Sequence, residues 1–216
     1  MVRLQSEQLD QITEAVRLAE EKTRGEIVPV ILPRADEYRW VDFFLAGFFA
    51  LIAPVLAWFT NESFSAGGWA SISGLEIFFA AQACGALLGL TLAQIPVVRR
   101  SIVPRGQRSR AVEAQAFHHF TRQGVMNTED RSGVLVLICL FEHEVAILAD
   151  QGIHQRVSVE YWKEETERLS RELKQGGDLT CVLIEGISRL GALLAKNFPR
   201  DPDSRNELAN RPVIGE

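Results

Sequence analysis

The side chains best suited to metal or nucleophilic chemistry here are four histidines and three cysteines, and their spacing supports neither. No two of His118, His119, His143 and His154 are four residues apart, the separation that puts two imidazoles on one helical face, and no His-Glu-x-x-His run occurs. His118 and His119 are adjacent, so on a helix their rings point about 100° apart. Cys84, Cys139 and Cys181 lie in apolar surroundings, without the paired spacing of a zinc site or a disulfide framework. They are expected to be buried reduced thiols in a reducing compartment. The phosphate-binding loop, the Gly-x-Ser-x-Gly nucleophile turn and the dinucleotide fingerprint are all lacking. The glycines of GLEIFF and GALLGL fall in apolar runs and cradle no phosphate.

Arginine is the charged residue with positional meaning. Arg99, Arg100, Arg105, Arg108 and Arg110 follow a long uncharged run, and Arg34 and Arg39 precede an earlier one. The first run, Phe43 to Asn61, and the second, Ile77 to Val98, carry no charge, and neither shows a polar face. About 20 helical residues cross a hydrocarbon core of roughly 30 Å, so two transmembrane spans are expected, at about 41–60 and 75–98. The connector TNESFSAGGWASISG has no Lys or Arg, so the positive-inside rule places both flanks in the cytoplasm. The basic cluster is expected to face lipid, and either also holds anionic headgroups or only sets topology. Trp40, Trp58 and Trp69 lie near the run ends, as headgroup-zone rings do. Pro54 is tolerable in a membrane helix, and Pro96 acts as a terminator. Ala81, Gly85, Gly89 and Ala93 make a stripe of small side chains, either for packing on Ala46, Ala50, Ala53 and Ala57 or as a homodimer seam.

The flanking segments read as α/β. Ser6 caps a first helix that buries Leu9, Ile12, Val16 and Ala19. Strand EIVPVIL follows, and its proline suggests an edge or an irregularity. A helix over Ser109–Gln123 leads to GVLVLICLF, an apolar run that reads as a central strand. Glu142 and His143 form a turn, and EVAILA returns antiparallel. Helices over Val159–Gln175 and from Asp178 to about Asn197 complete the pattern, and a polar tail from Pro199 is expected to be extended or mobile. A lone seven-residue strand cannot bury its faces. The first strand therefore needs the later ones, and an even number of spans must lie between them. The organisation is one α/β domain in two pieces, 1–38 and 101–198, interrupted by a transmembrane hairpin over 39–100 and followed by the tail 199–216.

The segments TRGEIVPVILPRADEY, QAFHHFTRQGV, RSGVLVLICLFEHEVAILADQGI and LKQGGDLTCVLIEGISRLGALLAKNFP, with a terminal NEL, together resemble the TPM domain family. The likeness is to the bacterial membrane-protein branch that carries a transmembrane pair after the first strand. It implies a three-layer α/β sandwich with a small mixed central sheet. It implies no single function, since members are tied to photosystem repair, to receptor modulation or to a phosphatase label. Many relatives place the domain outside the cytoplasm, whereas the arginines here argue for inside. Members also bind divalent cations through acidic residues. The matching positions are Asp130 and Asp150, with Asn127, Thr128 and Glu129 as nearby oxygen donors for Ca²⁺ or Mg²⁺. The usual Asp-Asn-Gly lead-in is here Asp130-Arg131-Ser132-Gly133, which sets an arginine beside the site.

The expectation is a noncatalytic, membrane-anchored interaction or assembly module in the bacterial inner membrane, multi-pass, with both termini cytoplasmic. The amino terminus has no signal-peptide apolar region. Membrane lipid and other membrane proteins, or a second copy, are the expected partners. A net charge of −5 gives no reason to expect nucleic acid. The alternative is a divalent-metal-dependent, phosphatase-like hydrolase using Asp130 and Asp150. A transporter is a third reading, disfavoured because the spans hold no intramembrane charge to define a pathway.

Overall fold

Two strands buried at every position must be covered on both faces, and the domain is built to do that. The computed structural model describes residues 5–65, 74–201 and 206–215. Its elements are helix α1 (Ser6–Glu20), strand β1 (Glu26–Leu32), helices α2 (Trp40–Ser65), α3 (Gly74–Ala93), α4 (Pro96–Ile102) and α5 (Arg105–Arg122), strands β2 (Gly133–Cys139) and β3 (Glu144–Ala149), helices α6 (Gln151–His154), α7 (Val159–Lys174) and α8 (Leu179–Asn197), and strand β4 (Val213–Ile214). The chain divides into a unit of Met1–Ala35 with Gly106–Glu216 and a unit of Asp36–Arg105.

The first unit is a mixed α/β domain on a four-stranded sheet in the order β3-β2-β1-β4. β1 pairs in parallel with β2 from Glu26 opposite Gly133 to Leu32 opposite Cys139. β3 returns antiparallel to β2, with Val134 opposite Ala149. Alternate side chains leave each strand on opposite faces. Ile27, Ile31, Val134, Val136 and Ile138 pack with α1, α7 and α8, through residues such as Ile12, Leu169 and Leu190. Val28, Val30, Leu135, Leu137 and Cys139 pack instead with Val112, Ala116 and Phe120 of α5. Helices therefore cover both faces of the sheet. Glu165 of α7 is buried, and Arg189 of α8 donates to it at 2.7 Å, tying those two helices together.

Three expectations change. Pro29 is not in an edge strand, because β1 lies between β2 and β4. Its missing N–H faces the β4 side. On that side Ile31 accepts from Gly215 N at 3.0 Å, and β4 reaches only Val30 and Ile31. Farther back, Ile27 N donates to Glu20 Oε1 at 2.9 Å, so a side chain replaces the absent neighbouring strand. The proline thus occupies the position where β1 has no ladder partner to lose. Second, the first α-helical residue is Ser6 itself, and Gln5 N donates to Gln8 Oε1 at 2.9 Å in place of a serine cap. Third, the segment past Pro199 is not a featureless tail. Its residues 206–215 are docked: Leu208 and Val213 pack against the core, and Val213–Ile214 forms β4. Glu207 N donates to Glu26 Oε1 at 3.0 Å, and Asn210 Nδ2 donates to Glu20 Oε2 at 2.6 Å.

The turn between β2 and β3 also differs from the expected two-residue hairpin. It spans residues 140–143, with His143 at a φ of 52°. Pro96 ends nothing itself. α3 stops at Ala93, and Pro96 opens α4, since a residue without an N–H fits the first helical turn.

Burial pushes the Glu20 carboxyl up to about 8, against the opposing hydrogen bond from Ile27 N. A folded-state pKa above the unfolded one stabilises the fold at low pH. That contribution is complete below the ordinary value of 4.5 and is lost as pH rises through about 8. Thermal unfolding followed from pH 5 to 9 is expected to show Tm falling across that window. Glu20→Gln is expected to flatten the fall, and an unchanged slope in the variant would exclude Glu20 as its origin.

Candidate functional site

In the second unit, α2 and α3 pack side by side, and the small-residue stripe forms the contact. Gly85 and Gly89 are buried, as is Ala93, while Ala81 is half-buried. A Cβ on Gly85 would overlap the Phe49 carbonyl oxygen and lie 2.7 Å from Ala53 Cβ. One on Gly89 would overlap the Leu45 carbonyl and lie 2.8 Å from Ala46 Cα. Both glycines therefore permit backbone approach within the hairpin. Of the mates expected on α2, Ala46 and Ala53 make these contacts, while Leu45 and Phe49 contribute through their main chain.

The outer surface of the hairpin is apolar. Phe43 is 72% exposed, Leu51 71%, Trp58 69% and Leu75 67%. Trp40–Phe59 and Leu75–Ala93 are each long and apolar enough to cross a membrane.

The basic cluster does not behave as a group. Arg99 is buried and turned inward. It forms an ion pair with Asp42 and donates to the carbonyls of Glu37 at 2.8 Å and Ala93 at 3.0 Å. This corrects the expectation that Arg99 faces lipid. Its guanidinium instead joins the start of α2 to the end of α3 and the beginning of α4. Arg105 and Arg110 are exposed, and Arg100 and Arg108 are half-buried.

Asp130 and Asp150 sit on two turns that meet. Gly152 packs so closely on the other turn that a Cβ there would lie 2.7 Å from the carbonyl oxygens of Asp130 and Arg131. Asp130 is exposed and forms an ion pair with Arg24 at 3.0 Å. Asp150 is buried and caps α6, its Oδ1 accepting from Gln151 N at 2.6 Å. Its Oδ2 is buried without a hydrogen-bond partner. Among the nearby oxygen donors, Thr128 Oγ1 is already accepting from Ser132 N at 3.1 Å. Glu129 contributes its N–H, at 3.1 Å, to the Glu207 carboxylate. No group of three or more His, Cys, Asp or Glu side chains gathers at a common point among the described residues. Ca²⁺ takes roughly six to eight oxygens, and a cation at Asp130 would have to displace a guanidinium. The residues present do not make a cage for a hard cation.

Of the histidines, His154 ends α6, where its N–H donates to the Asp150 carbonyl at 3.2 Å. His119 is buried on α5, and burial lowers its pKa. Sequence reasoning missed the joint made by Glu20, Glu26 and the C-terminal segment. The available signal was Val213–Ile214 after Pro212, a β-branched pair within an otherwise polar stretch.

No family model matches the chain, and no curated protein matches it. Among solved structures, it is similar to the NMR structure of the BA42 protein from the psychrophilic bacterium Bizionia argentinensis, with 22% identity, a TM-score of 0.57 and coverage of 98% of this chain and 95% of that one. At that identity the likeness is one of fold alone.

Replacing Gly85 or Gly89 by Val forces the hairpin backbones apart. Each variant is expected to lose about 1–3 kcal/mol, the usual cost of overpacking. Thermal unfolding of the full chain in detergent micelles reads the loss. Wild-type stability in both variants would contradict the close approach.

Proposed function

We propose that this chain is a membrane-anchored, noncatalytic interaction or assembly module. In this reading α2 and α3 cross the bacterial inner membrane as a hairpin, and the α/β domain lies on the cytoplasmic side with both termini. The observation that carries it is the apolar outer surface of two packed helices, with Phe43, Leu51, Trp58 and Leu75 each about two-thirds exposed or more. Burying one such side chain is worth about 1.5–3 kcal/mol, so a surface of this kind strongly favours lipid over water. The pairing of β1 with β2, on either side of the hairpin in sequence, supports an even number of crossings. The arginines outside the spans, and a connector without Lys or Arg, support the cytoplasmic orientation. In this reading the partners are other membrane proteins or a second copy.

The chain is expected to remain in the membrane pellet after alkaline carbonate washing, and reporters fused at the two ends should both be cytoplasmic. Isolation from native membranes in mild detergent is expected to retain a partner in fixed ratio. Release by carbonate sinks the membrane reading, and a lone monodisperse chain sinks the assembly reading.

A second reading is a divalent-metal-dependent, phosphatase-like hydrolase at Asp130 and Asp150, favoured by the buried, unpartnered Asp150 Oδ2. It predicts p-nitrophenyl phosphate hydrolysis that requires added Mg²⁺ or Ca²⁺ and is lost in Asp150→Ala. Activity that is absent, or equal in the two proteins, removes it.

A further inference from the structure

The two edges of the sheet are treated differently. On the β1 side the chain supplies its own covering strand, β4, and the carboxyl of Glu20 takes the N–H of Ile27. On the other side β3 is an edge strand. Asp150 N donates to Gly133 O at 2.9 Å, which fixes the alternation of the ladder. The even-numbered residues of β3 bond to β2, and the main-chain groups of Val145 and Ile147 point outward. Val145 N donates to Ser170 Oγ at 3.2 Å. The Val145 carbonyl and both polar groups of Ile147 have no partner strand among the described residues.

This edge forms the floor of a groove of about 750 Å³. One wall is α5, with Ser109, Val112 and Glu113, and the other is α7, from Thr166 to Lys174. The charges in the groove are ordered. Along α7 they run from Glu167 to Arg171 and Lys174, all exposed, and Glu113 faces the groove from α5. None of these four belongs to an ion pair among the described residues. Glu144 is engaged, accepting from Ser109 Oγ at 2.9 Å.

We propose that the groove over β3 docks one extended segment of a partner protein, added to the sheet as a fifth strand. The segment carries small apolar side chains, a carboxylate that meets Arg171 and Lys174, and a cation that meets Glu113 and Glu167. Main-chain bonds to Val145 and Ile147 hold it, and the ordered charges fix its direction. The chain's own terminal strand is already seated on the opposite edge. This inference rests on the assembly reading above and names the surface used.

The test uses the full chain in detergent micelles and two acetylated, amidated probe peptides. Both have a Val-Thr-Val-Thr-Val centre; one runs from Lys to Asp-Asp and the other is reversed. The charge order predicts that a bound peptide seats its aspartates beside Arg171 and Lys174 and its lysine beside Glu113 and Glu167. Amide exchange at Ile147, read by mass spectrometry, should slow when it binds. N-methylation of alternate valines should abolish binding, and the double variant Arg171→Glu, Lys174→Glu should weaken it about tenfold. The proposal fails if neither peptide slows exchange at Ile147, if the N-methylated peptide binds equally well, or if two copies cross-link through Lys174 within the groove. Failure of the peptides with a partner still retained on native purification overturns the groove alone. Failure of both overturns the assembly reading as well.

Discussion

Seven residues of β1 lie beside seven of β2, in parallel, and the whole two-helix unit belongs to the connection between them. A parallel pair always needs a crossover, ordinarily one helix packed on the sheet. Here α5 serves as that covering helix, with Val112, Ala116 and Phe120 against one face, and the hairpin is an addition to the same connection. Everything else in the domain follows from this pairing. It makes β1 and β2 apolar on both sides, calls for α1, α7 and α8 on the remaining face, and leaves β3 and the short β4 as the outer strands.

The pairing also explains where buried carboxyls are tolerated. β1 begins at a place where no strand flanks its outer side. Glu20 and Glu26 supply oxygen acceptors to Ile27 N and Glu207 N there. Burial raises both carboxyls, and part of that cost is offset by the main-chain donors they satisfy. The C-terminal segment thus depends on acidic side chains that an apolar core would otherwise exclude. Arg99 plays a comparable part in the other unit, gathering two carbonyls and Asp42 around one guanidinium.

Most of the elements were legible because their signals are local. The three longer strands, the two apolar helices and α1, α5, α7 and α8 announce themselves by periodicity or by unbroken apolar runs. Asp150, Ser158 and Asp178 cap their helices as short polar side chains do. What escaped depended on distant partners. Pro29 read as an edge or an irregularity because a missing N–H implies an unpaired side, and on that side β4 pairs only with Val30 and Ile31. The segment 206–215 read as polar because two β-branched residues do not make a periodic pattern. Arg99 looked like its neighbours Arg100 and Arg105, since nothing in the sequence marks which guanidinium meets Asp42. For Asp130, the nearby Arg131 was visible as a complication, but the residue that pairs with it is Arg24, about a hundred positions earlier.

β1 leaves the ribosome well before the strand it pairs with in parallel. β1 is made early, yet β2 follows about a hundred residues later, a delay of roughly 5–20 s at ordinary synthesis rates. During that interval the nascent chain carries an apolar seven-residue β segment with no ladder partner while both long apolar helices are still being translated. Both long apolar helices are therefore translated before the sheet can close, and β4 follows later in the chain. A chain truncated before Val213 would lose its last strand together with the donors that Glu20 and Glu26 receive from Asn210 and Glu207 only if the cut also removed those residues, so the terminus can be shortened in two distinct steps.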